Sequence, residues 1–178
     1  MDYIGKLGGK KTVERRAILI ALAVLTFIFQ NTGGLFPAPF GINAILLIPL
    51  TICIAMFERE FAGIFFGLLS GVMLDSFSSQ SVIFNSLFFT VIGFCAGALI
   101  TYLMRNNLLC ATILTAVSAF VYSTLSFIVY CAFDTIEKPF IFFLRYYFAS
   151  AVFTVLMTPL YYVIVRAVFK EFKENNHS

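Results

Sequence analysis

The stretch Gly63-Ile-Phe-Phe-Gly67-Leu-Leu-Ser-Gly71-Val-Met-Leu-Asp75, with Asn85 ten residues further on, decides how this chain is read. Three glycines and an aspartate recur at four-residue spacing inside apolar sequence. In an α-helix each step of four turns the direction by only about 40°, so these residues form one slanting stripe. Glycine is a poor helix former in water, yet it is frequent in transmembrane helices, where a missing side chain lets a second backbone come close. The stripe is a contact surface, either for internal packing or for a partner. It ends in a carboxylate, which near hydrocarbon needs a charge partner or access to water.

Outside the stripe, the composition is that of a polytopic membrane protein. Of 178 residues, 61% are hydrophobic and only 12% charged, with a mean hydropathy of +0.96. Soluble domains carry about 25% charged residues. An all-α membrane protein with six transmembrane helices in one compact bundle is expected: a basic cytoplasmic segment over 1–16, a transmembrane domain over 17–169 and a cytoplasmic tail over 170–178. The cysteines Cys53, Cys95, Cys110 and Cys131 contain no CxxC pair, which argues against a disulfide framework or metal site. The single histidine, His177, lies in the polar tail, so histidine chemistry within the membrane is excluded. No nucleophile elbow or phosphate-binding glycine loop occurs. The expectation is a protein without catalysis, cofactor or nucleic-acid partner.

In chain order, Lys6, Lys10, Lys11, Arg15 and Arg16 precede an apolar run from Ala17 to Phe29. No A-x-A cleavage site appears before Asn31, so this is read as a retained first helix ending near Gln30. Asn31 to Gly41 is a breaker-rich linker. A second helix is expected from about Ile42 to Phe57, kinked by Pro49, followed by a tight turn at Glu58-Arg-Glu60. The third, Phe61 to Leu74, is read as too short to cross alone; a serine-rich connection leads from it to a fourth, Val82 to Met104. Gly93-Phe-Cys-Ala-Gly97 in that fourth helix is a candidate partner for the stripe. The fifth and sixth are expected over Leu108 to Phe133 and Ile141 to Phe169, with Pro159 inside the last.

With six spans, one side receives Lys6, Lys10, Lys11, Arg15, Arg16, Arg59, Arg105, Arg166, Lys170 and Lys173, and the other only Lys138 and Arg145. The positive-inside rule then puts both termini in the cytoplasm and Asp75 at the outer end of the third helix. Membrane lipids are expected partners for the cytoplasmic cations. The buried polar candidates are Asp75, Asn85 and Arg145: Arg145 is the candidate charged partner of Asp75, and Asn85 a donor to the same acid. Two plainer readings stand beside this. Asp75 caps the serine turn, and Arg145 reaches lipid phosphate or Asp134.

Arg16 leading into the first helix with Gln30 at its end, the Gly63–Gly67–Gly71–Asp75 block, Asn85, Gly93, and Pro159-Leu-Tyr-Tyr-x3-Arg166 together resemble the rod-shape-determining protein MreD family over nearly the whole chain. The sequence departs from that family at Ile83, where glycine is frequent, and at Gly41-Ile-Asn43, where a Pro-Asp-type sequence is usual. The resemblance implies a non-enzymatic subunit of the bacterial cell-elongation (rod) complex in the cytoplasmic membrane. Members of the family work with MreC, with RodA and its penicillin-binding transpeptidase, and with MreB, to place peptidoglycan synthesis. The alternative is the substrate-binding S component of an energy-coupling-factor vitamin transporter, whose fold the MreD family is thought to share. Ala17-Ile-Leu-Ile-Ala21 matches the small-residue spacing of such components. A vitamin site, however, needs several converging polar groups, and the outer loops offer few beyond Asp75, Asn85 and Arg145.

Overall fold

The computed structural model describes residues 9–32, 45–77, 83–103, 106–133 and 149–174, and these form helices without strands. The helices are α1 (Gly9–Asn31), α2 (Leu47–Glu58), α3 (Glu60–Phe77), α4 (Phe84–Tyr102), α5 (Leu108–Phe133) and α6 (Ala149–Glu174). Four segments, Glu60–Phe77, Phe84–Tyr102, Leu108–Ile128 and Ser150–Phe172, are long and apolar enough to cross a membrane. By length and composition this is a membrane-spanning protein.

The core helix is α2. It is apolar all round, and every residue from Leu47 to Glu58 except Phe57 is buried, as expected of a helix without a polar face. It touches each of the other five, and these follow around it in the order α1, α3, α4, α5, α6, closing back on α1. Successive helices alternate in direction. One end of the bundle brings together Arg15 of α1, Glu58 of α2, Glu60 of α3, Thr101 of α4, Asn106 before α5 and Phe169 of α6. The opposite end joins Gln30, Leu47, Phe77, Ser86, Tyr122 and Thr154 through their contacts with one another and with neighbouring residues.

A buried short helix has few ways to satisfy its end groups, because water cannot reach them. The α2 N-terminus is completed by other helices. The Ile45 amide donates to Thr154 Oγ1 of α6 at 3.2 Å and the Leu47 amide to Gln30 Oε1 of α1 at 3.3 Å. The Ile48 amide bonds to the Ile45 carbonyl, and Pro49 has no amide to satisfy. At the other end Asn106 Nδ2 donates to the Met56 carbonyl at 3.1 Å.

Several expected boundaries are corrected. The first helix begins already at Gly9, because the lysines, glutamate and arginines before Ala17 are themselves good helix formers. The second starts at Leu47, not Ile42. Pro49 is thereby its third residue, in the first turn, where proline breaks no hydrogen bond and is no cause of a kink. The third runs to Phe77 with Asp75 in its last turn; its 18 residues reach about 27 Å, so it is not too short to cross. The fourth is shorter at both ends, bounded by Ile83 and Leu103. The fifth has the expected limits, and the last continues past Phe169 to Glu174.

The outer surface is more apolar than parts of the interior. On α3, Phe61, Phe65, Leu68 and Val72 are exposed, whereas Gly63, Gly67, Ser70 and Gly71 are buried. α4 repeats this, with Leu87, Val91 and Phe94 outside and Ser86, Gly93 and Gly97 inside. Small residues within and large ones without is the arrangement that close packing in lipid favours.

Candidate functional site

The α3 stripe lies directly on α4. A Cβ added at Gly63 would overlap the Gly93 carbonyl, and one at Gly93 would overlap the Gly63 carbonyl in return. Gly67 lies on the backbone of Phe89, Gly71 on that of Asn85 and Ser86, and Gly97 on that of Glu60. The two glycine series therefore face each other, and α3–α4 is the most extensive helix pairing among the described residues. Close approach of two backbones maximises dispersion contact where the hydrophobic effect gives no preference for helix over lipid.

At the end of this pairing Asp75 completes the α4 N-terminus. Its Oδ1 accepts the Asn85 amide at 3.1 Å, its Oδ2 accepts the Ser86 amide at 2.8 Å, and the Ser86 hydroxyl also donates to Oδ2. Ile83, at the N-cap position of α4, offers no side-chain acceptor, so the cap comes from the neighbouring helix. A carboxylate in the last turn of α3 meets unfavourable carbonyl dipoles, and the N-terminal dipole of α4 offsets them. The sequence stretch Gly63–Asp75 is thus one device: the glycines set the distance between α3 and α4, and the aspartate fixes their register.

Asn85 links this unit to α5. Its backbone amide, not its side chain, binds Asp75, while its Oδ1 accepts the Tyr122 hydroxyl at 2.8 Å. The Tyr122 ring meets Phe88 edge-on at 5.0 Å between centroids and lies 6.0 Å from Phe84. Toward the opposite end α4 and α5 separate, leaving an apolar cleft of about 200 Å³ lined by Ile92, Cys95, Leu99, Leu114 and Ser118 among others. Arg145, the expected partner of Asp75, lies outside the described residues, as do Asp134 and the Ser78–Ser81 connection.

A second polar cluster closes the basic end. Arg15 Nη2 lies 2.5 Å from Glu58 Oε1, and both side chains are almost fully buried. Arg16 Nε reaches the other carboxylate oxygen at 3.4 Å while its side chain is 55% exposed. The Arg15 guanidinium also stacks 4.5 Å above the Phe169 ring, tying α1, α2 and α6 together. Nothing in the sequence distinguishes Glu58 from Glu60, which among the described residues accepts only the exposed Thr101 hydroxyl, at 2.9 Å. Placing Glu58 as the last residue of a buried α2 is what separates the two.

Between α2 and α3 stands the single residue Arg59. Its amide closes α2 on the Ala55 carbonyl, and its own carbonyl opens α3 by accepting the Gly63 amide. One residue serving both helices has φ 74° and ψ −177°, a conformation found almost only in glycine. Holding a residue with a Cβ there costs about 1–3 kcal/mol.

Cys53 is buried, Cys95 exposed and Cys110 half-buried, all as free thiols. Among the described residues no three histidine, cysteine or carboxylate groups gather as metal ligands would. Comparison of the chain with protein-family models, curated proteins and solved structures gives no match.

Proposed function

We propose that this chain is a non-enzymatic integral subunit of the bacterial cell-elongation complex, of the MreD type. It sits in the cytoplasmic membrane with six spans, both termini inside, in a bundle like that of the energy-coupling-factor S components. It holds the membrane anchor of MreC and, with RodA, its penicillin-binding transpeptidase and MreB, helps to position peptidoglycan synthesis.

The observation that carries this reading is that the residues behind the family resemblance form one mechanical unit. The Gly63–Gly67–Gly71 stripe seats α4, Asp75 caps α4, and Asn85 passes the connection to α5. The polar side chains at the helix ends hold helices to one another: Gln30 to α2, Glu58 to α1, Asn106 to α2. Such a body suits a rigid seat for a partner helix. The clustering of Arg15, Arg16, Arg59 and Arg166 at one end supports a cytoplasmic placement of that end. The 12-residue α2 is enclosed by the others and spans without needing full length of its own.

Deletion of the gene in its native rod-shaped host tests the reading. Loss of the chain is expected to turn rods into spheres, restored by the wild-type chain. Unchanged cell shape counts against it.

A further inference from the structure

Of the seams between neighbouring outer helices, the one between α4 and α5 is the least closed among the described residues. The two helices are joined at one end, where Asn85 accepts from Tyr122 and Phe88 meets its ring, and they part beyond it. The contact of Phe88 with Tyr122 fixes an antiparallel register. One turn further along, Ile92 stands level with Ser118, and after another turn Ala96 stands level with Leu114.

The walls of the cleft are regular. On α4, Ile92, Cys95, Ala96 and Leu99 stand at i, i+3, i+4 and i+7, and α5 repeats that spacing from Leu114 to Val121. Each wall is therefore a single helix face two turns long. Cys95, Ala96 and Ser118 are small, whereas Val117, 59% exposed, stands at the rim. A trough of small side chains between larger ones lets a third helix seat its own ridge there.

One polar group indicates what fills it. Ser118 is at the centre of the 21-residue α5 span Leu108–Ile128, so it lines the cleft at mid-membrane depth. Thr112, Thr115 and Thr124 on the same helix donate back to carbonyls of α5. Ser118 makes no hydrogen bond among the described residues. An acyl chain carries no acceptor at that depth. A transmembrane helix can, in a serine, threonine, asparagine or glutamine side chain, and such groups join helices in membranes.

We propose that the α4–α5 cleft receives one transmembrane helix of a partner, with a small residue where it crosses Cys95 and Ala96 and a side-chain acceptor opposite Ser118. This rests on the reading of the chain as the seat of the MreC membrane anchor, and it names the face on which that anchor lies.

The test uses the full chain co-expressed with MreC of the same organism. Photoreactive p-benzoylphenylalanine is placed at Val117, at Leu68 of α3 or at Leu160 of α6, three exposed positions close to the middle of their spans. On irradiation of membranes, a cross-link to MreC is expected from Val117 and not from the other two. In separate chains, Ser118→Leu, which fills the cleft, is expected to lower MreC recovery about tenfold, and Ser118→Ala, which removes only the hydroxyl, about threefold. Both are expected to melt like wild type, because the Ser118 hydroxyl holds no other described group. The cross-links are read in chains that keep Ser118, so they decide independently of how Ser118→Leu folds. The proposal is overturned if MreC co-purifies with the wild-type chain but cross-links from Leu68 or Leu160 and not from Val117. It is also overturned if Val117 cross-links to a second copy of the chain or only to lipid, or if Ser118→Leu recovers MreC like wild type. Failure of MreC to co-purify with the wild-type chain overturns the functional reading and, with it, this occupant.

Discussion

Gly67→Ala adds one methyl group and is expected to destabilise the protein far beyond that small change. The new Cβ would lie 3.0 Å or less from Phe89 O, Phe89 C and Thr90 Cα, all backbone atoms of α4. Ordinary carbon contacts need about 3.5–4.0 Å, so α3 and α4 must part by about 1 Å, because no flexible side chain is there to yield. Two effects oppose each other. Alanine gains up to about 1 kcal/mol in helix propensity over glycine, whereas overpacking of a well-filled interface costs about 1–3 kcal/mol. Parting the helices also stretches the Asp75 bonds to the α4 amides, so the loss prevails, at about 2 kcal/mol net or roughly a 30-fold shift in the folding ratio. Thermal unfolding in one detergent is the assay, with Leu68→Ala, which trims a side chain 48% exposed on the outer face of the same helix, as the control. Gly67→Ala melting at or above the wild-type temperature would refute the reasoning.

Asp75→Ala leaves two amides and a hydroxyl at the α4 N-terminus without their acceptor, and should cost about 2–4 kcal/mol, with Asp75→Asn intermediate; equal melting of wild type and Asp75→Ala would show that the cap does not bear on stability. Glu58→Gln should cost about 3–5 kcal/mol by stranding the buried Arg15, and combining it with Arg15→Met should cost less than the two single losses added, as measured by the same unfolding assay. Strictly additive losses would mean that the pair is not coupled. Single cysteines at Gln80 and Asn107, in a background lacking the native thiols, should differ in labelling by an impermeant reagent in intact cells, with position 80 reactive and position 107 protected; the reverse pattern would invert the proposed orientation.

What was legible in the sequence was mostly what periodicity encodes. The glycine spacing of the third and fourth helices is a property of single segments, and so are the limits of α5. The partners of polar groups were less legible because they come from distant parts of the chain. Asp75 looked exposed to an unfavourable dipole when α3 was considered alone; α4, ten residues later, supplies the compensation. Pro49 looked like a kink because the start of its helix depends on Gln30 and Thr154, which satisfy the amides before it. The sequence reads Glu58 only as part of a tight turn, since nothing local marks α2 as the enclosed helix. Its burial against Arg15 is a consequence of topology. The strained Arg59 had no signal either, because a one-residue junction is decided by where two helices must meet.

Affinity purification of the full chain from its native membrane tests the proposed role most directly. Recovery of MreC in constant ratio to the chain, diminished by Gly67→Leu but not by Leu68→Ala, is the predicted result. Recovery of an ATPase pair with its transmembrane coupling protein, and no MreC, would contradict it and assign the chain to a vitamin transporter.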